Sequence, residues 1–518
     1  MSRRHGRRHG RGRVSDYVRD AVRFGERLPR RPPLLAQMAP RPGQETEIDR
    51  LVAPAECSHP ELSGFRLVSE GPEAFALRAH SADLAGRSLD VQTYIWHADL
   101  TGLYLAYRVL VAADRGVMVR LLVDDVDARA KNYIFAALDA HPNISVRMFN
   151  PFASREGFLR EVLEIARSFS RLTHRMHNKT WIADNRIAVV GGRNLGDEYF
   201  GASEDVNFVD LDFAMLGPIV RDASSTFDRY WNSRVTYPIH VLAPAAVMPE
   251  ALDGLRARLA DHAHGARASR FAAELHDDNA VQRLVRGHAA MTWSGACRLV
   301  ADDPLKATGT PRNAAGSEVL TVLLAAMQAT RRRLEVLSPY FVPGRRGTRA
   351  LIAAARAGKR VHILTNSLAA NDVAAVHGGY SKRRAKLLRN GVHIWELKPS
   401  PGRDIKATFF GSTGASLHTK ALTADGRQVF VGSYNIDPRS TKLNCEQGVL
   451  VEDEALAARL EALFARYTSG RRAWAVTLGA EGLQWSDGTE TFRSDPLAPT
   501  ARRLLARLAR WLPIDAQL

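Results

Sequence analysis

The sequence predicts an α/β protein made of two duplicated domains that share one site. Three observations predict this class. An eight-residue motif, HxKxxxxD, occurs twice; a glycine and an asparagine follow each copy at the same spacing; and the same order of strand and helix patterns precedes each copy. Strand patterns that alternate with helical patterns are typical of α/β domains, and a repeat this long is not that of a solenoid.

The first half begins with a buried strand pattern, SLDVQTYIW at 88–96. A helical pattern follows at 103–116, and the next strand patterns are VMVRLLVDD at 117–125 and ISVRMFNPF at 144–152. The first motif, MHNKTWIAD, occupies 176–184. The order is therefore strand, helix, strand, strand and motif.

The second half repeats this order. A strand pattern at 333–341 precedes a helical pattern at 348–359, two more strand patterns at 361–367 and 391–399, and the motif LHTKALTAD at 417–425. This recurrence predicts that the two domains have a common origin.

Each motif predicts a hairpin with a polar face. Alternate side chains of a strand share a face, so His177 and Lys179 point the same way, as do His418 and Lys420. In both copies six residues separate the aspartate of the motif from the following glycine. A turn and a returning strand fill this interval, so the residues around the glycine are expected beside the histidine and lysine.

The repeated residues suit phosphoryl chemistry. Two imidazoles that face each other across an interface provide a nucleophile and a general acid. Lysine and asparagine side chains can surround the non-bridging oxygens of a phosphate and stabilise a pentacoordinate transition state, with small residues beside them to let the anion approach. The residues expected to bind phosphate are Lys179, Lys420, Asn194, Asn435, Gly192 and Ser433. This chemistry needs no cofactor and no metal, and we recognise no carboxylate cluster suited to magnesium.

Composition limits the alternatives. With 518 residues and 45% hydrophobic content, the chain can bury more than one core. Its three cysteines share no CxxC spacing, so neither a zinc site nor a disulfide framework is predicted. A formal charge of +17 favours polyanionic partners, namely nucleic acid, acidic membrane surfaces or phosphorylated substrates.

The expected domain organisation has five parts. They are a basic, disordered tail and lead-in at 1–60, a first domain at 61–245, a helical connector at 246–290, a second domain at 291–475 and a C-terminal extension at 476–518. The start, MSRRHGRRHGRGR, is followed by no apolar stretch typical of a secretory signal.

Membrane attachment is expected to be peripheral. No segment has the roughly 18–20 uncharged apolar residues of a spanning helix, so we expect a cytoplasmic protein on the inner membrane. The helical pattern at 500–512 places leucines on one side and arginines on the other, which suits either an anionic bilayer or packing of the leucines on the protein body. Those leucines are Leu504, Leu505, Leu508 and Leu512. The basic helical pattern at 378–389 has similar alternatives, solvation or lipid binding.

Several stretches resemble the phospholipase D superfamily and, more narrowly, bacterial cardiolipin synthases of the class without N-terminal membrane helices. They are SLDVQTYIWHADLTG, HPNISVRMFNPF, RMHNKTWIADNRIAVVGGRNLGDEYF, FDRYWNS, LTNSLAANDVAAVHGGY and VGSYNIDPRSTKLNCEQG. The resemblance implies two α/β/α sandwich domains related by a pseudo-twofold axis, with the active site at their interface.

The resemblance also implies a role for each repeated residue. His177 would be the nucleophile that forms a phosphohistidine, and His418 the acid that protonates the leaving alcohol. Asp210 and Glu446 match the positions of acidic residues that orient the histidine of the opposite half. Such a carboxylate would fix the imidazole tautomer and favour the imidazolium form.

Three positions of the repeat differ from the others in what they are expected to contribute. Asp184 and Asp425 are assigned to the catalytic set by their place in the motif, but they also suit turns before asparagine or glycine. Gly192 stands where the family consensus has serine. The missing hydroxyl is expected to remove one hydrogen bond to phosphate, a loss of about 0.5–1.5 kcal/mol.

The resemblance implies a phosphatidyltransferase. It would cleave a phospholipid through a phosphatidyl-histidine and pass the group to an alcohol, forming cardiolipin from phosphatidylglycerol with a second phospholipid that could be phosphatidylethanolamine. A phospholipase D hydrolase that releases phosphatidic acid, or another phosphodiesterase or nuclease, uses the same residues. The expected partners are phospholipids and an anionic membrane surface, with no nucleic acid; an accessory protein is left open.

Overall fold

The computed structural model describes residues 28–128, 132–153, 172–244, 247–273, 280–286, 291–309, 316–371, 373–399 and 417–511. Within these ranges the strands form two mixed sheets of nine and ten strands. Residues 1–27 of the predicted disordered tail and lead-in, and Leu512, lie outside the described residues. The expectation of disorder up to residue 60 is wrong for Glu47–Ser58, which form a helix that buries Ile48 and Val52.

The first sheet combines parallel and antiparallel strands. Its strands are β1 (Ser63–Val68), β2 (Ser88–Thr93), β3 (Met118–Asp124), β4 (Ile144–Phe149), β5 (Thr180–Ala183), β6 (Ile187–Gly191), β7 (Asp212–Leu216), β8 (Thr236–Pro238) and β9 (Thr292–Ser294). Their order is β8-β4-β3-β2-β5-β6-β7-β1-β9. β2, β3 and β4 are parallel, whereas β5, β6 and β7 continue the sheet as antiparallel neighbours.

The second sheet repeats this topology. Its strands are β10 (Cys297–Ala301), β11 (Arg333–Leu337), β12 (Arg360–Asn366), β13 (Val392–Leu397), β14 (Ala421–Ala424), β15 (Gln428–Gly432), β16 (Gln447–Glu452), β17 (Ala473–Gly479), β18 (Gly482–Ser486) and β19 (Thr491–Phe492). Their order is β10-β16-β15-β14-β11-β12-β13-β17-β18-β19. The segment β13-β12-β11-β14-β15-β16 corresponds to β4-β3-β2-β5-β6-β7, so the predicted duplicated α/β fold is confirmed.

Helices cover the sheets. Those up to residue 285 are α1 (Glu47–Ser58), α2 (Gly71–Leu84), α3 (Leu100–Asp114), α4 (Asp125–Ala128), α5 (Asn132–Asp139), α6 (Asp197–Phe200), α7 (Pro218–Trp231), α8 (Ile239–Leu242), α9 (Pro249–His264), α10 (Ala266–Ala273) and α11 (Ala280–Val285). The later ones are α12 (Glu318–Ala329), α13 (Gly344–Arg356), α14 (Ala374–Arg389), α15 (Pro438–Lys442), α16 (Glu454–Tyr467) and α17 (Thr500–Trp511), with a 3₁₀ turn at Pro304–Thr308.

The sheets extend across two of the expected domain boundaries. β9 pairs with β1 in the first sheet, although the second domain was expected to begin at 291. β18 and β19 extend the second sheet beyond the expected boundary at 475. The connector is helical, and its helices α9, α10 and α11 bury apolar residues in the core of the first domain rather than bridging freely.

One apolar core joins the two sheets. It contains Val190 and Phe213 of the first sheet together with Val431 and Val449 of the second, all at most 1% exposed. Residues from both halves therefore pack against each other beneath the two motifs. This shared core brings the histidines of the two domains to one interface.

Candidate active site

Backbone hydrogen bonds cross between the domains at both motifs. The His177 N–H donates to the Cys445 carbonyl, and the Cys445 N–H donates to the Arg175 carbonyl, each over 2.8 Å. In the second motif the His418 N–H donates to the Val209 carbonyl over 2.8 Å. Each motif is thus hydrogen-bonded to a residue of the other domain that directly precedes an acidic residue: Cys445 before Glu446, and Val209 before Asp210. The two crossings have the same pattern, which gives the site its pseudo-twofold symmetry.

Each histidine binds a buried carboxylate of the opposite half. His177 Nδ1 lies 2.9 Å from Glu446 Oε2 and 3.0 Å from the Ser433 carbonyl oxygen. His418 Nδ1 lies 2.5 Å from Asp210 Oδ2. Glu446 and Asp210 are fully buried. Because only acceptors of this kind face His177 Nδ1, that nitrogen carries the proton and Nε2 keeps its lone pair.

Burial holds both imidazoles neutral in the ligand-free site. Desolvation lowers the pKa of His177 to about 4 and outweighs the attraction of Glu446. Desolvation and the charge of Lys420 lower the pKa of His418 to about 3. Each carboxylate acts in the expected direction, because Glu446 raises the pKa of His177 and Asp210 raises that of His418. In the ligand-free site desolvation and the nearby lysine charge outweigh this effect, so the net shift of both pKa values is downward.

The carboxyl groups remain ionised in spite of their burial. Desolvation alone would raise the pKa of each, but the neighbouring histidine and its hydrogen bond lower the pKa of Asp210 and of Glu446 below the ordinary value. Glu446 also accepts hydrogen bonds from Ser433 Oγ and Ser440 Oγ, over 2.5 and 2.8 Å. At neutral pH the two carboxylates are therefore ionised, and each can accept a hydrogen bond from the Nδ1–H of its histidine.

The two lysines lie in the same buried site. Lys179 is 2% exposed, donates from Nζ to the His177 carbonyl over 2.7 Å and sits 5.3 Å from the ring centre of Tyr94. Lys420 Nζ approaches His418 Nδ1 at 2.9 Å and donates to the His418 carbonyl. Desolvation, followed by the charge of Lys420, lowers the pKa of Lys179 well below its ordinary value. An anion bound between the lysines would relieve this repulsion.

The two asparagines differ in their contacts. Asn194 donates from Nδ2 to Tyr199 Oη over 2.8 Å, and its Oδ1 accepts from the Ile95 N–H over 3.3 Å. Asn435 is 5% exposed, and its Oδ1 has no hydrogen-bond partner among the described residues. Both are buried next to the motif hairpins, but the second half leaves an amide oxygen unsatisfied.

The aspartates of the two motifs lie away from the histidines. Asp184 accepts from the backbone N–H groups of Gly86, Arg87 and Ser88 at 2.7–3.2 Å. It is seven residues beyond His177 along an extended segment, which at about 3.3 Å per residue is roughly 20 Å. Its assignment to the catalytic set is therefore corrected: it anchors the beginning of β2.

Asp425 has the same contacts in the second half. It accepts from the backbone N–H groups of Arg331, Arg332 and Arg333 at 2.7–2.9 Å, at the beginning of β11. Asp184 and Asp425 both have positive φ angles, 53° and 57°, as do the residues that follow them in the hairpin turns. The alternative of a turn residue explains both positions, and their catalytic assignment is not supported.

The anchoring role gives a stability prediction. We expect Asp184→Ala to lower the free energy of unfolding by about 2–4 kcal/mol, because buried backbone N–H groups lose a charged acceptor. The turnover number of the folded protein should change little. Thermal unfolding and hydrolysis of a soluble phosphodiester measure the two effects. A hundredfold fall in turnover number with no change in melting temperature would show that Asp184 takes part in catalysis.

Gly192 leaves room for a carboxylate. A Cβ added at Gly192 would lie 2.2 Å from Asp210 Oδ1 and 2.9 Å from its Cγ. In the other half Ser433 donates its hydroxyl to the longer Glu446 side chain. The hydroxyl that Gly192 lacks corresponds to that of Ser433, which donates to a carboxylate in this structure. The sequence had instead suggested that the missing hydroxyl would donate to phosphate.

Aromatic rings around the histidines were not assigned from the sequence. The Tyr94 ring packs edge-on against His177, with ring centres 5.3 Å apart. His418 is contacted edge-on by Tyr199 at 5.2 Å and stacked by Phe208 at 5.4 Å. These rings lie outside the HxKxxxxD motif: Tyr94 directly after β2, Tyr199 in α6 and Phe208 two residues before Asp210. Only their closeness in sequence to β2, Asn194 or Asp210 could have indicated them.

A histidine and two carboxylates lie close together near Asn194. Ligand atoms of His97, Asp99 and Glu198 are within 4.8 Å of one another. One histidine and two carboxylates are a composition found at divalent-metal sites. The sequence analysis predicted no metal site and did not identify this group. Asp99 also accepts from the Gly102 and Asp197 N–H groups over 2.9 and 2.8 Å. These contacts cap α3 and tie it to α6.

Two sheets of one topology, each contributing a histidine, a lysine and an asparagine to a shared interface, define an enzyme of the phospholipase D superfamily. The comparison with family models agrees with this class. The chain belongs to the family described as cardiolipin synthase, PLD-like domain, whose model matches residues 80–231 and 323–468.

Individual proteins are similar to this chain along most of its length. It is similar to cardiolipin synthase C of Escherichia coli (strain K12), with 39% identity over 90% of this chain and 98% of that protein. It is also similar to cardiolipin synthase A of Pseudomonas syringae pv. syringae (strain B728a), with 24% identity over 77% of this chain and 67% of that protein. The fold resembles the crystal structure of phosphatidylserine synthase from Haemophilus influenzae Rd KW20, with a TM-score of 0.56, 15% identity, and coverage of 89% of this chain and 97% of that one.

Among the described residues, no helix combines the length and the apolar character that crossing a bilayer requires.

Proposed function

We propose that the protein is a phosphatidyltransferase that forms cardiolipin, with phosphatidylglycerol as the acceptor alcohol and a second phospholipid as the donor. The observation that carries this proposal is the 39% identity to a cardiolipin synthase along 90% of the chain. The site supports it, because His177 is buried with a free Nε2 lone pair, His418 is half-buried, and each histidine contacts an ionised carboxylate. Phosphatidylethanolamine is a candidate second lipid.

In the first step His177 Nε2 attacks the phosphorus of the donor lipid. A P–N bond forms and the bond from phosphorus to the head-group oxygen breaks, while His418 donates its Nε2 proton to the leaving alcohol. The lysines and asparagines of the two halves hold the non-bridging oxygens. Because the lipid phosphate is an anion, its binding offsets the charge of Lys420 and raises the pKa of His418, so proton uptake accompanies binding.

In the second step the acceptor hydroxyl attacks the phosphatidyl-histidine. His418, now neutral, takes the hydroxyl proton as the new P–O bond forms and the P–N bond breaks. Glu446 accepts a hydrogen bond from the His177 Nδ1–H throughout and keeps the ring oriented. Water in place of the lipid alcohol gives phosphatidic acid, so exclusion of water decides between transferase and hydrolase.

Product analysis tests the proposal directly. Purified protein is incubated with phosphatidylglycerol vesicles, with and without phosphatidylethanolamine, and the lipids are identified by mass spectrometry. We expect cardiolipin, and His177→Ala protein serves as the control. Phosphatidic acid without cardiolipin, from the isolated protein and from a cell extract that supplies any accessory protein, would make the protein a hydrolase.

The low pKa of the nucleophile gives a pH prediction. His177 attacks only when neutral, and its pKa is about 4, so protonation removes activity only in strong acid. For a soluble phosphodiester with a p-nitrophenolate leaving group, which needs no acid catalyst, we expect kcat/KM to be constant from about pH 8 to about pH 5 and to fall below that. An acid limb centred near the ordinary histidine pKa of about 6.5 would contradict the burial argument.

A further inference from the structure

Three helices on one side of the second domain carry many cations and no acidic residue. α13, α14 and α17 contain arginines and lysines throughout but not a single aspartate or glutamate. α13 packs on β12 and α14 on β13, while α17 packs extensively on α14. Together they form one cationic layer with thirteen arginines and lysines.

α17 attaches to this layer through one arginine and two alanines. Its buried positions are Arg502, Ala506 and Ala509, at 4–7% exposure. A Cβ added to Gly378 of α14 would lie 2.9 Å from both the Ala506 carbonyl oxygen and Ala509 Cβ. The two helices therefore approach closely at a glycine, through Ala506 and Ala509 of α17.

Two leucines of α17 face away from the protein, whereas Leu505 is half-buried. Leu504 and Leu508 are each 56% exposed, and on a helix of 3.6 residues per turn they lie opposite Arg502, Ala506 and Ala509. The alternative that the leucine stripe packs on the body is thus wrong for these two residues. Leu504 and Leu508 are one helical turn apart, so they form a small exposed apolar patch that a further apolar partner can cover.

A basic cavity lies between α13 and α14. Its volume is about 330 Å³. The residues that line it are Arg345, Thr348, Arg349, Arg383 and Lys386. None of these four cations forms a salt bridge with a carboxylate of the described residues. The cavity is therefore suited to a phosphate group, which would supply the missing negative charge.

The docked helix lies beside the active site. Asn366, at the end of β12, donates to the Leu417 carbonyl over 3.0 Å and accepts from the Leu417 N–H over 3.1 Å. Leu417 directly precedes His418. Two residues beyond Asn366, Leu368 is buried in a cluster with Ala506 of α17. α17 therefore follows the edge of the domain on which the second motif lies.

We propose that this cationic layer is a membrane-docking face, in which Leu504 and Leu508 enter an anionic bilayer and the basic cavity binds a lipid phosphate outside the active site. The inference rests on the proposed function, because a lipid substrate must reach the cleft from a bilayer. Nucleic acid would also satisfy the cations, but it offers nothing to two outward-facing leucines. A bilayer satisfies both.

Vesicle sedimentation with the full chain tests the docking face. We expect Leu504→Ser/Leu508→Ser and Arg345→Glu/Arg349→Glu each to weaken partition onto phosphatidylglycerol vesicles by about tenfold or more, since each basic residue near an anionic surface contributes about a factor of five. The arginine variant should also flatten the salt dependence of binding. Matched controls are Leu35→Ser, at a leucine 91% exposed, and Arg298→Glu/Arg471→Glu, at exposed arginines elsewhere. These controls should bind like the parent protein.

A second readout separates docking from folding and from catalysis. Both docking variants should hydrolyse a soluble phosphodiester at the parent rate, and partition measured in a His177→Ala background needs no turnover. Failure to form cardiolipin would therefore overturn the proposed function without affecting this test. Equal partition of the docking variants and their controls would overturn the docking face. Binding of the parent protein to RNA and not to vesicles would overturn it as well.

Discussion

His177→Ala should lower kcat/KM for a soluble phosphodiester by at least about 10⁴-fold and abolish any covalent phosphoenzyme. The reason is the hydrogen-bond pattern at its ring. Glu446 and the Ser433 carbonyl both accept from Nδ1 of His177, which leaves the Nε2 lone pair free to attack phosphorus.

His418→Ala should fail in a different way. With a p-nitrophenyl diester the leaving group needs no proton, so the adduct on His177 should form and then persist, because no base remains to activate the attacking water. Intact-protein mass spectrometry after a short incubation measures the adduct. His264→Ala, at an exposed histidine far from either motif in sequence, should behave like the parent protein. An adduct that survives in His177→Ala and is missing in His418→Ala would exchange the two roles.

The architecture could be predicted because its signal is local and repeated. The strand patterns before each motif correspond to β2, β3, β4 and to β11, β12, β13. Each HxKxxxxD motif leads into a hairpin, β5–β6 or β14–β15, with a positive-φ turn at the motif aspartate. The period of two along a strand and the turn chemistry of aspartate followed by asparagine or glycine act within a few residues, so the sequence alone contains this information.

The properties that were not predicted depend on distant parts of the chain. The protonation of His177 and His418 is decided by their burial between two domains, and burial is not visible in a motif. The leucine stripe of α17 is visible on a helical wheel, but the side used for packing was decided by Gly378, which lies over a hundred residues earlier in the chain. Pattern analysis identifies the faces of a helix, whereas the partner decides which face is buried.

Gly192 is the position where restoring the family consensus should do harm. A serine there would place its Cβ against the Asp210 carboxylate, at a distance of 2.2 Å that real contacts do not show. Asp210 has little freedom to retreat, because it binds His418 Nδ1 and accepts the Leu211 N–H over 2.8 Å. The second half solves the same problem with a different pair, in which the longer Glu446 accepts from the Ser433 hydroxyl. The two halves thus use matched pairs, glycine with aspartate and serine with glutamate.

We therefore expect Gly192→Ser to lower kcat/KM by about 10²-fold, the scale expected when an orienting group is displaced by about 1 Å. Asp210→Glu alone should also lose activity, since no hydroxyl would hold the longer side chain in place. The double variant Gly192→Ser/Asp210→Glu reproduces the pair of the second half and should recover most of the loss, so the two changes should be strongly non-additive. Rates with a soluble phosphodiester, and melting temperatures to confirm folding, give the double-mutant cycle. Gly192→Ser protein as active as the parent, or additive losses in the double variant, would show that the carboxylate is not confined by position 192.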